Sequence, residues 1–446
     1  MKLYNTDSIN FAQTMKQYLI ISIILLGSIT CFSQNKISKE QPVPCNGDAD
    51  DLPGQYTDYL HSKYPTALKG TAPEKAAMMK QLIAIEKIEE ASRSNFKLTG
   101  CVARVSFSGA DKNIAGNTIH SSYGYQLGVY QNVCHVTEHV VKTVGEYRTV
   151  LRVNVNPLLV KNYLLPGGAG EFYLTDKSRS VRYDIPIDAK AGSSYAKDRL
   201  SHPSRISQYI SETMLLKDRS DNYKSKHADF LKLINGDGYV ENWVSGSRDD
   251  KPNPKAHKWI DRHYFITRPG VPLLVPVTRK QYLEDMLEYY EIEKANFYYN
   301  LEAQIKSSAG NSSESAKKRM AILQADKAAY PQLYEARKEK VKQLLANQKA
   351  TWLQLPAVVD FNNSTYDADQ RLADIGKFYD AETENTAALY NYNPEYFKTN
   401  AGQPAKPLFM DVQFRYEIAQ DKGFSERLFN NFLKNYDMGA LRKLLE

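Results

Sequence analysis

The sharpest chemical motif in this 446-residue chain is the pentapeptide His135-Val136-Thr137-Glu138-His139. It has the form H-x-x-E-H, in which two histidines on one helix face bind zinc and the glutamate is the base for a zinc-bound water. Glu212 lies at a sequence distance where a third metal ligand could fall. The pattern offers a candidate zinc hydrolase site, with His135 and His139 as metal ligands and Glu138 as the catalytic residue.

The residues around this motif argue against zinc. Residues 133–144 are rich in valine, which favours a β-strand. In a strand His135 and His139 would be about 13 Å apart, at roughly 3.3 Å per residue, too far to share one ion. The pentapeptide resembles the motif of pitrilysin-like peptidases, but the small residues that precede it there are missing. We therefore interpret residues 135–139 as polar strand positions and expect no cofactor, with zinc as the alternative.

A second group of polar residues lies in the run WVSGSRDDKPNPKAHKWIDRH, which spans residues 243–263. If 257–265 is a strand, its alternating residues from His257 to His263 share one face. Aromatic rings beside carboxylates suit sugar binding, and two carboxylates across a cleft could form a glycosidase pair. The alternative is an exposed loop that leads into a strand. The candidate binding residues are Trp243, Asp249, Asp250, His257, Trp259, Asp261 and His263.

Neither candidate is accompanied by another catalytic signature. The chain has no G-x-S-x-G turn, no C-x-x-C pair and no EF-hand loop. Its 58 basic and 51 acidic residues give a net charge of +7, which is too thinly spread for a nucleic-acid binder, since such a protein needs a concentrated basic stripe. Enzymatic activity is therefore uncertain, and the sequence favours a binding function without nucleic acid.

Residues 1–33 have the pattern of a secretory signal peptide. A charged start near Lys16 precedes apolar residues 18–29, and the chain turns polar at Gln34. The apolar run is too short to span a membrane, and no later apolar run reaches about 18 residues. We therefore expect an exported protein in the periplasm, on the outer surface or outside the cell, with no membrane span in the mature chain. Lipidation of Cys31 is an alternative.

Export changes the interpretation of the cysteines, because oxidising compartments allow disulfides. Cys45, Cys101 and Cys134 remain after removal of the signal. Cys101 and Cys134 each lie in a strand-like apolar stretch, so we predict a disulfide between them and leave Cys45 unpaired. The alternative is three unpaired thiols.

The rest of the chain divides into four predicted segments. Residues 34–70, rich in Pro, Gly and Asp, form an extended leader. Residues 71–275 form an α+β domain, 276–355 form a helical hairpin, and 356–446 complete the α+β domain.

Helix and strand patterns follow one another in the α+β domain. Thr71 and Glu74 form a capping box before a helix that runs to about Ser94. Strand-like residues then extend through 101–107 and 123–141. In the next strand, 146–156, apolar residues alternate with Arg148, Arg152 and Asn154, which predicts one buried and one polar face.

The most regular part of the chain is the predicted hairpin. A helix opens at Thr278 and holds a three-four apolar spacing, typical of a coiled coil, to about Ser307. A polar turn at 308–313 leads to a second helix from Glu314, which we expect to restart at Pro331 and to run to about Trp352.

Near the C terminus, residues 408–417 alternate cleanly between apolar and polar side chains. A lone strand is not stable by itself, so we expect this strand to pair with the sheet that begins near residue 100. The fold class is then α+β: a mainly antiparallel sheet with flanking helices and an inserted long antiparallel helical hairpin.

Three segments carry a resemblance to known proteins: the signal ending in Phe-Ser-Gln, VPVTRKQYLEDML at 275–287, and NNFLKNYDMGALRKLL at 430–445. They resemble exported proteins of Bacteroidota to which no function is assigned, and this resemblance implies export alone. We predict a non-enzymatic binding or interaction protein of the cell envelope. Its partner would be a protein docked on the hairpin or a glycan. The alternative is a secreted hydrolase, either zinc-dependent or glycan-acting.

Overall fold

The computed structural model describes residues 43–47, 49–59, 63–115, 118–159, 171–184, 205–211, 227–245, 258–360, 367–380, 386–398, 402–418 and 423–446. In these ranges the chain combines helices with mostly antiparallel sheets, consistent with the predicted α+β class. The predicted signal at 1–33 lies outside the described residues. No helix within the described ranges has the length and apolar character needed to cross a membrane.

The strands of the described residues form three sheets. They are β1 (Gln55–Asp58), β2 (Cys101–Ala115), β3 (Thr118–Cys134), β4 (Val141–Val155), β5 (Glu171–Phe172), β6 (Tyr183–Asp184), β7 (Ile210–Ser211), β8 (Val240–Ser245), β9 (Lys258–Ile266), β10 (Leu274–Pro276), β11 (Val358–Asp360), β12 (Thr386–Tyr392) and β13 (Met410–Ile418).

The first helix begins at the predicted capping box, where the Thr71 and Glu74 side chains each bond the other's backbone N–H. The described helices are α1 (Ala72–Ser92), α2 (His227–Ile234), α3 (Arg279–Ser308), α4 (Glu314–Asn347), α5 (Ala350–Leu353), α6 (Ala368–Ala373), α7 (Pro394–Phe397), α8 (Gly423–Asn435) and α9 (Met438–Lys443).

The largest sheet has the strand order β1-β2-β3-β4-β13-β9-β8. β13 pairs antiparallel with both β4 and β9, so the strand expected near the C terminus joins the sheet that begins near residue 100. β1 comes from the segment 34–70 and pairs parallel with β2. Alternating apolar residues of β2, β3, β4, β9 and β13 point to one face, where α1, α8 and α9 cover them to form a core.

The opposite face of this sheet is polar over much of its area. The residues that alternate with the core positions include Arg104 on β2, Gln126 on β3, Arg152 on β4 and Gln413 on β13. At one end this face becomes apolar, where Phe265 of β9 belongs to a core that also contains residues of β10, β11 and β12. The sheet therefore has one packed face and one face that is largely hydrogen-bonding.

The two longest helices, α3 and α4, contact each other in antiparallel order. Gln304 near the end of α3 accepts from Arg319 near the start of α4 at 2.6 Å, and Phe297 stacks on Tyr330 with ring centroids 3.8 Å apart. These rings are buried in a core shared with residues of β5 and β6. α4 continues through Pro331, so the predicted restart is wrong. Buried residues on both sides of the proline, Tyr330 and Tyr334, belong to the same core.

The predicted disulfide between Cys101 and Cys134 is wrong. Cys45 and Cys134 lie at disulfide distance, with Cα atoms 5.8 Å apart, and Cys101 is a buried free thiol. The register of β2 and β3 places Gln131 opposite Cys101. Cys134 is three residues farther along β3, and an odd offset turns its side chain to the other face of the strand.

Candidate binding site on the polar face of the large sheet

The H-x-x-E-H pentapeptide forms the turn that connects β3 to β4. The backbone N–H of His135 donates to the carbonyl of Val140 at 2.9 Å, and the N–H of His139 donates to the carbonyl of His135 at 2.8 Å. His139 has a φ of 50°, in the left-handed region, which lets the chain reverse. The strand predicted at 135–139 is therefore wrong, and the segment is not the helix that the zinc motif needs.

The side chains of this turn are engaged locally. The carboxylate of Glu138 accepts from Lys142 at 2.7 Å, and that hydrogen bond holds the pKa of Glu138 below its ordinary value. The backbone N–H of Glu138 donates to Nδ1 of His135 at 3.3 Å. Within the described ranges, no three His, Cys, Asp or Glu residues are grouped so that they could hold a metal ion. Glu212, the third ligand considered, lies outside the described residues.

The second predicted group is divided by the structure. The strand predicted at 257–265 is β9, and it places Trp259, Asp261 and His263 on one face. Trp243 lies in β8. Asp249, Asp250 and His257 lie outside the described residues. The members of this group that the structure describes therefore lie on β8 and β9.

Asp261 is fully buried and is bonded to two residues of β13. Its carboxylate accepts from the amide of Gln413 at 2.7 Å and from the guanidinium of Arg415 at 2.6 Å. His263 lies between two carboxylates, with Nδ1 2.8 Å from Asp411 and Nε2 3.4 Å from Asp261. Strand register explains these contacts, because Asp261 pairs with Arg415 and His263 pairs with Gln413.

The hydrogen bonds continue across the neighbouring strands. Arg152 on β4 donates to the side-chain oxygen of Gln413 at 3.0 Å, to that of Gln126 at 2.8 Å, and to the hydroxyl of Tyr147 at 2.7 Å. A connected set of side chains therefore spans β3, β4, β13 and β9. We call it the polar network; its members are Gln126, Tyr147, Arg152, Asp261, His263, Asp411, Gln413 and Arg415.

The charges of the network are set by burial and by close partners. Burial alone would lower the pKa of His263, but Asp411 and Asp261 raise it to about 9. Burial alone would raise the pKa of Asp261, but the hydrogen bonds and positive charges of His263 and Arg415 hold it well below its usual range. At neutral pH both ring nitrogens of His263 are therefore donors, and Asp261 is ionised.

This protonation pattern is unsuited to glycosidase chemistry. A glycosidase needs one carboxylic acid with a raised pKa to protonate the leaving oxygen, whereas the pKa of Asp261 is lowered. A general base needs a free ring nitrogen, whereas both nitrogens of His263 face carboxylates. Asp261 and His263 can hold and orient polar groups, and these two described residues do not form an acid–base pair.

Two members of the network, Arg152 and Tyr147, also belong to a second, partly exposed group of aromatic and basic side chains. The guanidinium of Arg104 lies 4.4 Å from the centre of the Tyr130 ring, and Tyr130 meets Tyr147 edge to face with centroids 5.8 Å apart. The guanidinium of Arg152 lies 5.6 Å from the centre of the Tyr147 ring. We call Arg104, Tyr130, Tyr147 and Arg152 the tyrosine–arginine patch.

A glycine lets the two rings of the patch lie close to the sheet. Gly128 pairs with Arg104 across β2 and β3. A Cβ added at Gly128 would lie 3.3 Å from the Tyr130 ring and 3.4 Å from the Tyr147 ring, so a larger side chain would displace them. Tyr147 is 37% exposed and Arg104 is half-buried. Tyr147 and Arg104 are therefore accessible to solvent, whereas Tyr130 is buried.

Most residues of this site could not be identified as site residues from the sequence. Arg152, Gln413 and Arg415 appeared only as the polar positions of alternating strands, and Tyr130 and Tyr147 belonged to strand-like runs. The alternation was a signal for one shared polar face, but it did not say which strands would be neighbours.

No protein-family model, curated protein or solved structure matches this chain.

Proposed function

We propose that this chain is an exported, non-catalytic carbohydrate-binding protein of the cell envelope, that the tyrosine–arginine patch contacts the ligand, and that the buried part of the polar network holds the patch in place. The observation that carries the proposal is the continuous run of hydrogen-bonding side chains from Gln126 to His263, which reaches the exposed ring of Tyr147. A strand face also binds oligosaccharides in the OB-fold, a five-stranded β-barrel.

Sugars present both hydroxyl groups and apolar C–H faces. The half-buried Gln126, Arg104 and Arg152 supply hydrogen-bond donors for hydroxyls, and Tyr147 supplies an amphipathic ring for a sugar face. Because Gln126, Arg152 and Gln413 already hold one another in place, little side-chain freedom would be lost on binding.

Export is part of the proposal. The signal pattern at 1–33 supports it, and so does the pair Cys45–Cys134, because disulfides persist in oxidising compartments. In this proposal the inserted helical hairpin, α3 and α4, is a support and not a docking arm. Its apolar rings, including Phe297 and Tyr330, are buried within this chain, so they are not exposed for contact with a partner.

Affinity electrophoresis tests the proposal. The purified protein is run through gels that contain dextran, laminarin, xylan, alginate or polygalacturonate. We expect at least one polysaccharide to retard it, and Tyr147→Ala to weaken that binding by about two- to tenfold, because one ring stack is worth roughly 0.5–1.5 kcal/mol.

The matched control is Tyr379→Ala, which removes a tyrosine of equal exposure, 37%, on a different part of the chain. It should bind like the unchanged protein. Retardation by none of the five polysaccharides would contradict the proposal, and so would an equal loss in the two variants.

A further inference from the structure

The two arginines of the tyrosine–arginine patch have neutral partners. Arg152 donates to two amide oxygens and to a tyrosine hydroxyl, and Arg104 lies over a tyrosine ring. In the part of the chain that the structure describes, no carboxylate forms an ion pair with either guanidinium. Two positive charges on one half-buried sheet face therefore lack counter-charges from the described residues.

Three other half-buried or buried arginines of this chain are paired with carboxylates. Arg415, on the same face, donates to Asp261 at 2.6 Å, and Arg337 and Arg371 both bond Glu293. A partly desolvated positive charge without an acid is costly, since charges in a low-dielectric site are poorly screened. An acidic ligand would remove that cost, whereas a neutral sugar would not.

We propose that the ligand is an acidic glycan, a polysaccharide whose sugar rings carry carboxylate groups, and that Arg104 is the residue that selects it. A guanidinium binds a carboxylate through two parallel N–H bonds, and Arg104 is positioned by its stack on Tyr130. The ring of Tyr147 then packs against the sugar face beside the carboxylate. This inference rests on the proposed carbohydrate-binding function.

The ligand must contain sugar rings as well as negative charge. Tyr147 adds an exposed ring surface that an acidic peptide backbone does not match in the same way. The net charge of +7 over the whole chain is also too small to attract every polyanion strongly. An acidic polypeptide of similar charge density is therefore the discriminating comparison.

The test measures binding of three polymers by affinity electrophoresis: polygalacturonate, the same backbone with its carboxylates methyl-esterified, and polyglutamate. We expect polygalacturonate to retard the protein, and the esterified polymer and polyglutamate to bind at least about tenfold more weakly, because only the first offers both carboxylates and sugar faces.

Variants assign the effect to Arg104. Arg104→Gln should weaken binding of polygalacturonate by at least about tenfold, and Arg104→Lys should keep part of it, because lysine retains the charge without the two-pronged geometry. Arg179→Gln is the matched control, since Arg179 also lies over a tyrosine ring, Tyr173 at 5.3 Å, away from this patch. It should leave binding unchanged. Circular dichroism verifies that each variant is folded.

The outcomes separate this inference from the proposed function. If the esterified polymer or a neutral polysaccharide binds as well and Tyr147→Ala still weakens binding, the acidic specificity is wrong and carbohydrate binding stands. Equal binding of polyglutamate, or no effect of Arg104→Gln, also overturns the inference. If no polysaccharide binds at all, both proposals fail.

Discussion

His263 is held between Asp411 and Asp261 at 2.8 and 3.4 Å. Its ring is protonated at neutral pH, because its pKa is about 9. The ring neutralises one of the two carboxylates and Arg415 neutralises the other. A buried group of this kind is stable only while every charge has its partner. The residue therefore contributes to the polar network by fixing Asp411 and Asp261, and its contribution depends on pH.

Stability should fall as the pH rises through the titration of His263. Its pKa is about 9 in the folded protein and about 6.5 in an unfolded chain. The folded state binds the proton more tightly, so the stabilisation is fully present below about pH 6.5 and is lost as the pH rises to about 9. Urea unfolding at a series of pH values measures this fall, which His263→Gln should remove.

His135→Gln is the control for that experiment, because His135 lies in the exposed turn. It should leave the pH dependence of the free energy of unfolding as it is in the unchanged protein. If His263→Gln shows the same fall between pH 6.5 and 9 as the unchanged protein, the protonated bridge is wrong.

The sequence alone predicts which residues of β9 share a face. Alternation along one strand was enough to place Trp259, Asp261 and His263 on a common face, and the structure places them on one face of β9. Their partners could not be predicted, since Gln413 is 152 residues from Asp261 in the chain. Only the pairing of β13 with β9 brings the two together.

At the scale of elements, a buried charge cluster connects three helices. Glu293 of α3 accepts from Arg337 of α4 and from Arg371 of α6, each at 2.5 Å. Burial alone would raise the pKa of Glu293, but the two arginines lower it to about 2. The carboxylate is thus ionised at every pH near neutrality and holds two guanidiniums inside an apolar core.

Removing Glu293 should destabilise the protein strongly. Glu293→Ala removes the carboxylate that the buried Arg337 and Arg371 both bond, and we expect a loss of about 3–5 kcal/mol in the free energy of unfolding. Urea unfolding followed by circular dichroism measures it.

Glu291→Ala is the comparison on the same helix. Glu291 pairs with Lys338 at 2.7 Å, but its side chain is 55% exposed, so the loss should be about 0–1 kcal/mol. Equal losses at the two positions would show that the buried cluster contributes no more than a surface pair.

The turn at 135–139 shows why strand propensity predicts this segment wrongly. The valines around it predict strand correctly for the ends of β3 and β4, but two strands that pair with each other must be joined by a reversal of the chain. His139 supplies that reversal with its positive φ. Strand propensity alone does not reveal where a long apolar stretch folds back on itself.

At the scale of the whole molecule, the described chain contains three apolar cores and one large polar sheet face. The polar network lies on the face opposite the core that α1, α8 and α9 cover. Replacing such a network by apolar residues is often neutral or stabilising in proteins. Asp261, His263 and Gln413 are buried, whereas Arg152 is half-buried and Tyr147 is exposed at the other end of the network. We therefore propose that the network orients Arg152 and Tyr147 for a ligand.

The disulfide should constrain the chain over a long distance. Cys45 and Cys134 are separated by 89 residues, so Cys134→Ser should lower the free energy of unfolding by about 2–4 kcal/mol. Cys101→Ser should leave the disulfide in place. Thiol titration of denatured, unreduced protein checks the pairing, since Cys134→Ser exposes one additional reactive thiol from Cys45. Loss of the disulfide in Cys101→Ser would contradict it.

The sequence by itself determined those features that depend on neighbours along the chain. The capping box of α1, the strands β9 and β13 and the long helices α3 and α4 follow from periodicity and local hydrogen bonds. The tertiary structure alone decided which cysteines pair, how Asp261 and His263 are charged, and that Arg152 joins Gln413, 261 residues away. Those outcomes depend on strand order and register, which are set by packing among segments that are distant in sequence.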